Sequence, residues 1–483
     1  MKVRSYHPIL LISFIFLLIF TSCNRESTLG SILSKETKND VYKNIEEEKL
    51  AATLQSTLEK EGNNFKNKTF LANYYKQNGY QATLIKKFIH DNKLNQLAER
   101  LANSLEHGIG SDYFHADNYQ KLLNAIISKD AIKTEEDAYK ELAQLEISTA
   151  DALINYSNAL QYGVVNPNKV LRRYYIETKR PDSVFMKSIL TSTDLTSLLD
   201  SIQPTSPLYL ALQKELKSNL AVEDQQRKEI SKTIIVNMER ARWKQDFDAS
   251  NMVYVNIPAF QLDVFKEGKS IINMKVVVGE TGHETPVLAS KIHSVQVNPV
   301  WNIPKSIAGK EMLKHVQEDR FYLVNSGIDV LEDGKVIEGS ENIDWSAFSP
   351  DNLPYRFRQR PGSENALGKI KFLFKNNSSV YLHDTPTQTA FEKENRALSH
   401  GCVRVAKPLD LAQALFGNGD KFNEIKSEME STEQMDANDI ALSPQTQVVL
   451  DYKTINLRNN TLYFYSDIYG EDTVLYPYLK SGI

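Results

Sequence analysis

The spacing of apolar residues changes once along this chain of 483 residues, and that change constrains the fold more than any other feature. Within residues 46–225, apolar side chains recur three to four positions apart, as at Leu97, Leu101 and Leu105, which predicts amphipathic helices. From Met252 onward apolar and polar residues alternate, which predicts strands. Since the chain is also too long for one average domain, we predict a multi-domain α+β protein with a mostly helical first part and a β-rich second part.

The β-rich part contains one long interruption. Alternating runs at 253–257, 260–264, 272–278 and 292–297 predict successive strands. Residues 304–351 lose the alternation, and Ile307, Met312 and Val316 have helical spacing. We therefore predict a partly helical lid insertion at 304–351. Trp345 and Phe348, near its far end, are expected to dock over a cleft beside Trp301, although packing against the helical domain is the alternative.

The N-terminus has the pattern of an export signal. Lys2 and Arg4 precede a twelve-residue apolar run, 9–20, which is too short for a comfortable membrane span. The run ends in small residues just before Cys23, which resembles a bacterial lipobox with Cys23 as the lipidated first residue, although Phe20 stands where leucine is usual. A plain secretory signal cut nearby is the alternative. Either way we expect an exported, periplasmic protein, and the lipobox predicts that it is anchored through Cys23 to the outer membrane.

One stretch holds the second of the two cysteines together with two histidines. Residues 380–384 alternate as a strand that ends in His383, and residues 399–405 read Ser-His-Gly-Cys-Val-Arg-Val around Cys402. If the two pieces are neighbouring strands, the imidazole of His383 faces the thiol of Cys402, which is how a cysteine nucleophile is activated. Two alternatives remain at this point: an inert buried cysteine, or a zinc site made by His383, His400 and Cys402.

The whole string favours the catalytic interpretation over these alternatives. Ser399-His400-Gly401-Cys402-Val403-Arg404, with His383 nineteen positions before the cysteine, resembles the signature of the L,D-transpeptidase catalytic-domain family (YkuD fold). Residues 298–304, 356–362 and 365–368 resemble further motifs of that family, in the same order. The resemblance implies an acyltransferase that cross-links peptidoglycan through a thioester and uses no cofactor and no metal.

The resemblance also implies a role for each residue of the site. Cys402 would be the nucleophile and His383 the general base and acid. The backbone N–H groups of His400, Gly401 and Cys402 would bind the oxyanion, and the His400 side chain would serve the oxyanion or orient the reacting groups. The remaining predicted site residues would contact substrate: Ser399, Arg404, Trp301 and Asn302. Arg404 is interpreted either as a carboxylate anchor or as part of a structural ion pair. Asp384 follows His383 along a strand, so its side chain should point away and its backbone carbonyl should orient the imidazole.

The helical part resembles the scaffold domain of long-form members of the same family. Two stretches carry this resemblance: residues 70–75 with 79–80, and residues 145–167. Pro207-Leu208-Tyr209 is followed within about thirty residues by 237–243, which resembles the lead-in of the catalytic domain, so there is no room for a peptidoglycan-binding module between them. The predicted division is 1–23 signal peptide and lipobox, 24–49 tether, 50–225 helical scaffold domain, 237–417 catalytic domain, 418–445 charged linker, and 446–483 C-terminal strand pair and tail.

The charge balance limits the partners. With 57 Lys and Arg against 61 Asp and Glu, the chain has no basic excess for nucleic acid. The resemblance implies peptidoglycan stem peptides as substrates and carbapenem-type compounds as inhibitors. A hydrolase (L,D-carboxypeptidase) of the same fold and a non-catalytic peptidoglycan-binding lipoprotein are the alternatives, and the second would be expected to have lost His383 or Cys402.

Overall fold

The computed structural model describes residues 28–433, 435–480 and 482. The first part of the described chain is helical, as its apolar spacing predicts. Its helices are α1 (Leu29–Thr37), α2 (Glu47–Glu61), α3 (Lys68–Gln77), α4 (Thr83–Phe88), α5 (Lys93–Ala102), α6 (Ala116–Ile127), α7 (Glu135–Tyr162), α8 (Pro167–Val170), α9 (Ser183–Thr191), α10 (Leu195–Ser201), α11 (Pro207–Leu220) and α12 (Gln225–Arg242). The central helix is α7, which begins where the side chain of Thr134 accepts a hydrogen bond from the backbone N–H of Asp137.

The described part of the predicted tether, residues 28–49, is folded. Within 24–49, α1 and a 3-10 turn at Asp40–Asn44 bury Leu29, Leu33 and Tyr42 in the core of the helical domain. The hydroxyl of Tyr42 donates a hydrogen bond to the carbonyl of Ile126, 2.9 Å away. The tether prediction was therefore wrong. Its charged residues lie on the outer face of a short helix, and too few apolar positions fall in nine residues for periodicity to show.

A buried ion pair fixes the last helix before the strands against the rest of the helical domain. Helix α12 follows α11 after four residues, 221–224, and its end carries Glu239 and Arg242, which pair at 2.8 Å with no exposed side-chain surface. Glu239 also accepts from the backbone N–H of Val165 at 2.7 Å, and Arg242 donates to the carbonyl of His107 at 2.8 Å. These two charges hold the scaffold against the segment that leads into the first long strand.

The β-rich part is built around one mixed sheet. Its strands and those of the smaller sheets are β1 (Thr178–Lys179), β2 (Lys244–Gln245), β3 (Met252–Asn256), β4 (Gln261–Lys266), β5 (Lys269–Gly279), β6 (Leu288–Val297), β7 (Trp301–Ile303), β8 (Ile328–Glu332), β9 (Lys335–Val336), β10 (Arg356–Gln359), β11 (Ile370–Phe374), β12 (Leu382–His383), β13 (Ala397–Ser399), β14 (Val403–Val405), β15 (Asn438–Asp451), β16 (Ile455–Arg458) and β17 (Thr461–Phe464). Among the described residues the main sheet runs β13-β5-β14-β12-β11-β6-β15-β3-β4. It closes on itself because β4 also pairs with β5.

The region after residue 417 corrects two predictions. The predicted linker, 418–445, forms helix α17 (Asp420–Glu430), which follows α16 (Pro408–Phe416) and buries Phe422 and Ile425, and then enters β15. Strand β15 lies between β6 and β3 in the main sheet, so 446–451 belongs to that sheet and not to a C-terminal pair. The predicted hairpin is present as β16 and β17, turning at 459–460. The chain then ends in α18 (Glu471–Leu475) and a 3-10 turn.

The predicted lid is a subdomain with its own core. Residues 304–351 contain α13 (Lys305–Ile307), a π-helical turn (Ala308–Met312), α14 (Leu313–Glu318) and α15 (Tyr322–Asn325), so the predicted helical character is confirmed. The strands that flank the insertion join it in a sheet ordered β7-β10-β8-β9. Trp345 is buried in that core against Phe348, Tyr355 and Phe357, so the prediction that Trp345 and Phe348 dock over the cleft was wrong.

Two remaining points concern membranes. Among residues 28–433, 435–480 and 482, the helices are all too short or too polar to cross a bilayer. The predicted signal segment and Cys23 lie outside the described residues.

Candidate active site

The two chain segments that carry Cys402 and His383 are neighbours in the main sheet. Strands β12 and β14 pair in parallel, with His383 opposite Arg404, and the backbone N–H of Val403 donates to the carbonyl of Tyr381 at 3.1 Å. Because side chains alternate along a strand, Tyr381, His383, Cys402 and Arg404 emerge on one face. All four line a cleft of about 320 Å³. The prediction of neighbouring strands is confirmed.

His383 is buried and held in one orientation. Its Nδ1 lies 2.5 Å from the backbone carbonyl of Asp384, so Nδ1 donates there and Nε2 is left as the acceptor. The side chain of Asp384 points the other way and accepts from the backbone N–H of Lys369 at 2.9 Å. The predicted division between the carbonyl and the carboxylate of Asp384 is confirmed. Burial, assisted by the positive charge of Arg404, lowers the pKa of His383 to about 3.

The thiol of Cys402 is partly buried, and its pKa is set by opposing causes. Burial raises the pKa of the thiol, while hydrogen bonds from the backbone N–H and the hydroxyl of Tyr381, and the charges of Arg404 and Lys371, lower it in part. The net direction is upward. With the imidazole neutral and the thiol protonated, neither group is charged at rest, whereas a histidine in contact with a cysteine is expected to form an ion pair.

A rigid loop presents Cys402 to the cleft. The hydroxyl of Ser399 donates to the carbonyl of Cys402 at 2.5 Å and accepts from the backbone N–H of Gly401 at 3.2 Å. Gly401 has φ +107°, a conformation that favours glycine, and its carbonyl accepts from Thr285 Oγ1 at 2.9 Å. The loop is therefore fixed from both sides, which keeps the sulfur on the cleft face.

Comparison with known proteins agrees with this geometry. Residues 250–420 match the family model described as the L,D-transpeptidase catalytic domain, and residues 69–216 match the model described as the scaffold domain. Residues 250–420 belong to the L,D-transpeptidase catalytic-domain family. A curated protein of Haemophilus influenzae, named "Putative L,D-transpeptidase", is 30% identical over 297 residues, which are 61% of this chain and 60% of the relative. The chain thus spans about 60% of the length of the curated relative that it matches.

Within this L,D-transpeptidase domain, the other predicted site residues differ in position. Ser399 braces the cysteine loop, as described above, although it also lines the cleft. Trp301 and His400 line the cleft as well, and His400 Nε2 lies 2.7 Å from Glu311 Oε1 of the lid. Asn302 is exposed on β7, opposite Arg358, and does not line the cleft. The structure therefore separates Asn302 from the remaining predicted residues.

The backbone N–H groups beside Cys402 differ in whether they are free to bind an oxyanion. The N–H of Gly401 is already bonded to Ser399, whereas the hydrogen bonds of the described residues do not use the N–H groups of His400 and Cys402. An oxyanion role for Gly401 stays a prediction and would require that bond to be released.

Among the described residues no acidic side chain forms an ion pair with Arg404, and its Nε is buried without a hydrogen-bond partner. Of the two interpretations of Arg404, this favours the carboxylate anchor.

Two residues of the site were missed from the sequence. Tyr381 approaches the sulfur of Cys402, and burial raises the pKa of its phenol, so it remains a hydrogen-bond donor. Lys371 pairs with His383 across β11 and β12 and lies near Tyr381, with its ammonium 5.8 Å from the ring centre. Counting two residues back from His383 would have identified Tyr381. Lys371 depends on the register of β11, which the sequence alone does not give.

Proposed function

We propose that this protein is an L,D-transpeptidase that forms peptidoglycan cross-links through a thioester on Cys402. The acyl donor would be a tetrapeptide stem cleaved before its terminal D-Ala, and the acceptor the side-chain amine of a second stem. The observation that carries the proposal is the shared cleft face of Cys402 and His383, with the His383 imidazole oriented by the Asp384 carbonyl. That arrangement supports a nucleophile and its base in a family whose substrates are stem peptides.

The first half-reaction begins from the uncharged pair. Nε2 of His383 takes the thiol proton as the Cys402 sulfur bonds to the carbonyl carbon of the scissile amide. The hydroxyl of Tyr381, together with the charges of Arg404 and Lys371, stabilises negative charge on sulfur while the proton moves. The tetrahedral intermediate then breaks its C–N bond, His383 returns the proton to the leaving D-Ala amine, and the thioester remains.

The oxyanion and the substrate each need a partner in the cleft. The N–H groups of His400 and Cys402 are the available backbone donors for the oxyanion, and Gly401 would join them if Ser399 released it. Arg404 would bind a carboxylate of the donor stem, because a guanidinium without an acidic partner matches that group. Trp301 lies at the wall of the cleft, where it would contact the stem's apolar surface.

The second half-reaction decides between transfer and hydrolysis. An incoming amine attacks the thioester, His383 removes its proton, and the Cys402 thiol is released. If water enters instead, the same thioester gives a tripeptide, which is the carboxypeptidase alternative. Pro304, Ser306 and Ile307 of the lid border the cleft and would restrict the entry of water.

The proposed place of action is the periplasm. Export and anchoring rest on the apolar run before Cys23 and on the small residues that precede it. We propose that Cys23 is acylated and holds the protein at the outer membrane. Replacing Cys23 with serine should leave the exported protein soluble or unprocessed, and a mature N-terminus well downstream of Cys23 without lipid would contradict the anchor.

The test is incubation of the purified protein with labelled tetrapeptide muropeptides, followed by mass spectrometry of the products. Dimers joined between the third residues of two stems support the transpeptidase. Tripeptide without dimer supports the hydrolase, and no turnover by a folded protein would contradict both. The Cys402→Ala variant is the background control, and His293→Ala, on a surface away from the cleft, controls for an unspecific effect of removing an imidazole.

A further inference from the structure

A second group of functional side chains lies at the mouth of the cleft, outside the residues used by the proposed reaction apart from His400. Glu280 and His283 belong to the loop that follows β5, and His400 precedes the glycine of the cysteine loop. One ligand atom from each of these three residues lies within 4.8 Å of the other two. Among the described residues, this is the one such group of histidine, cysteine and acidic side chains, and it contains neither His383 nor Cys402.

The backbone that carries these side chains is fixed before any ligand binds. The N–H of Glu280 donates to the carbonyl of Ser399 at 2.9 Å, which joins the two loops directly beside His400. The N–H of Gly279 donates to Thr285 Oγ1 at 2.8 Å, and the hydroxyl of Tyr469 donates to the carbonyl of Gly279 at 2.6 Å. The loop therefore holds its ends while its side chains stay free to adjust.

The side chains themselves are accessible and close. Their exposed fractions are 48% for Glu280, 43% for His283 and 33% for His400, so an ion from solvent can reach them. The ring centres of His283 and His400 are 4.8 Å apart, and His283 Nδ1 is 3.3 Å from Glu280 Oε1. Ligand atoms around a tetrahedral zinc ion are about 3.3 Å apart, so small side-chain rotations suffice to complete such a site.

Glu311 adds the feature that distinguishes a metal site from a surface cluster. Its Oε1 lies 2.7 Å from Nε2 of His400, which leaves Nδ1 as the ring nitrogen available to bind an ion. A carboxylate that accepts from the second nitrogen of a ligating histidine fixes the ring and makes it a better ligand. Two imidazoles and two carboxylates also give the group a net negative charge when the histidines are neutral, which favours a dication over a monovalent ion.

From these contacts we propose that Glu280, His283 and His400 form a binding site for a divalent transition metal with the ligand preferences of zinc, with Glu311 orienting His400. Imidazole and carboxylate ligands suit zinc, copper and nickel better than magnesium or calcium, which prefer oxygen alone. Three protein ligands leave one position open to water, as in sites that exchange their metal.

An ion at this position would control access to the thiol. His283 and His400 both border the cleft that holds Cys402, and Glu311 belongs to the lid. Joining the two loops and the lid through one ion would narrow the mouth of the cleft. The occupied site should therefore slow the reaction of Cys402 with alkylating reagents from solution.

The experiment measures zinc binding to the purified full chain by titration calorimetry, in a Cys402→Ser background so that the thiol cannot serve as a ligand. The expected result is one zinc ion per chain, bound at least tenfold more weakly after Glu280→Gln or His283→Ala. The matched controls are Glu364→Gln and His293→Ala, which remove the same groups outside the cluster and should leave zinc affinity unchanged. Circular dichroism of every variant checks the fold, and Glu280→Gln preserves side-chain size if the histidine variant does not fold.

Three results would overturn the proposal. Stoichiometric zinc that binds the unchanged chain and its His283→Ala variant but not the Cys402→Ser chain would assign the ion to the thiol, and equal affinity in all variants of the Cys402→Ser chain would assign it elsewhere. Absence of stoichiometric binding would remove the site altogether.

A second readout is the rate at which iodoacetamide labels Cys402 in the otherwise unchanged chain. Zinc should slow labelling severalfold, and protection that persists in the Glu280→Gln, His283→Ala double variant would contradict closure through this site. Neither readout requires transpeptidase activity, so failure here is separable from failure of the proposed function.

Discussion

The buried pair of His383 and Cys402 and the exposed group of Glu280, His283 and His400 lie on either side of one short loop, yet their surroundings give them opposite chemistry. Burial keeps the first imidazole neutral, with a pKa of about 3, and raises the pKa of the thiol beside it. The second group is open to solvent and pairs with carboxylates. The comparison teaches that histidines of the same cleft differ in burial, which is why we assign proton transfer to the buried imidazole and ligand binding to the exposed ones.

The largest effect expected is loss of the nucleophile. Cys402→Ala should abolish both turnover and covalent labelling by a carbapenem, because it removes the thiol of the cleft. Mass spectrometry of the protein after exposure to the drug measures the adduct, with His293→Ala as a folded control that should still be labelled. Labelling of the alanine variant at any other residue would show that the acyl group is not carried by Cys402.

The next largest effect concerns the buried base. His383→Ala should slow acylation by roughly 10²–10⁴-fold, the usual contribution of general acid–base catalysis. His400→Ala should cost less, since backbone N–H groups and not its ring serve the oxyanion. Stopped-flow measurement of carbapenem acylation compares the two variants. A larger loss in His400→Ala would mean that the exposed histidine, and not the buried one, is the base.

The pH dependence of acylation tests the same contrast without a mutation. A base whose pKa is lowered works in its neutral form above that pKa and fails only as the pH falls through it, here at about 3. Acylation should therefore change little between pH 7.5 and 5.5. Over the same range, the neutral fraction of an imidazole with an ordinary pKa of about 6.5 would fall roughly tenfold. A clear inflection near pH 6.5 in the unmodified protein would contradict a buried, neutral His383.

The residues of the buried site show what the sequence could predict. Cys402 and His383 were predicted from a short family motif, and the carbonyl of Asp384 from alternation along one strand. The exposed group required the loop after β5 to meet the cysteine loop, and Glu280 is 120 positions from His400. Lys371 reached the site through the register of β11 with β12. No local pattern encodes either long-range contact.

The same distinction explains the errors in the fold. The alternating strands and the hairpin of β16 and β17 were predictable because their period or their turn lies within a few residues. Helices α1 and α17 are short and charged, so their buried residues were too few to show a period. Trp345 was expected at the cleft because a large apolar side chain needs cover, but the insertion supplied its own core. Which surface buries an aromatic residue is determined by tertiary packing, and the local sequence does not give it.

A smaller effect is expected from Tyr381→Phe. The variant keeps the ring but loses the hydroxyl that bonds the sulfur of Cys402, so thiolate formation becomes less favourable. Loss of one hydrogen bond to a charged atom corresponds to roughly 10- to 150-fold in acylation rate. Tyr463→Phe, on the exposed hairpin, is the matched control. An unchanged rate in Tyr381→Phe would show that Arg404 and Lys371 stabilise the sulfur without the phenol.

The smallest effect should come from the contact between the lid and the exposed group. Deleting the lid is not a clean test of this contact. Strands β7 and β10 flank the lid and belong to its sheet, so replacing 304–351 with a Gly-Ser turn would leave them without the rest of that sheet. A point variant is therefore the sharper test. Glu311→Gln removes the carboxylate that holds His400, and an exposed pair of this kind contributes about 0.2–1 kcal/mol. Looser closure should admit water to the thioester and raise the ratio of tripeptide to dimer by at most about fivefold.

The control for the lid is Glu318→Gln. Glu318 is an exposed glutamate of α14 that forms no ion pair among the described residues. Carbapenem acylation should be nearly the same in both variants, because Glu311 does not approach the sulfur. A product ratio that moves equally in Glu311→Gln and Glu318→Gln would assign the effect to surface charge. A ratio that moves in neither would mean that the contact between Glu311 and His400 does not govern the entry of water. The fate of the thioester would then depend on the walls of the cleft itself, Trp301 and Ile307.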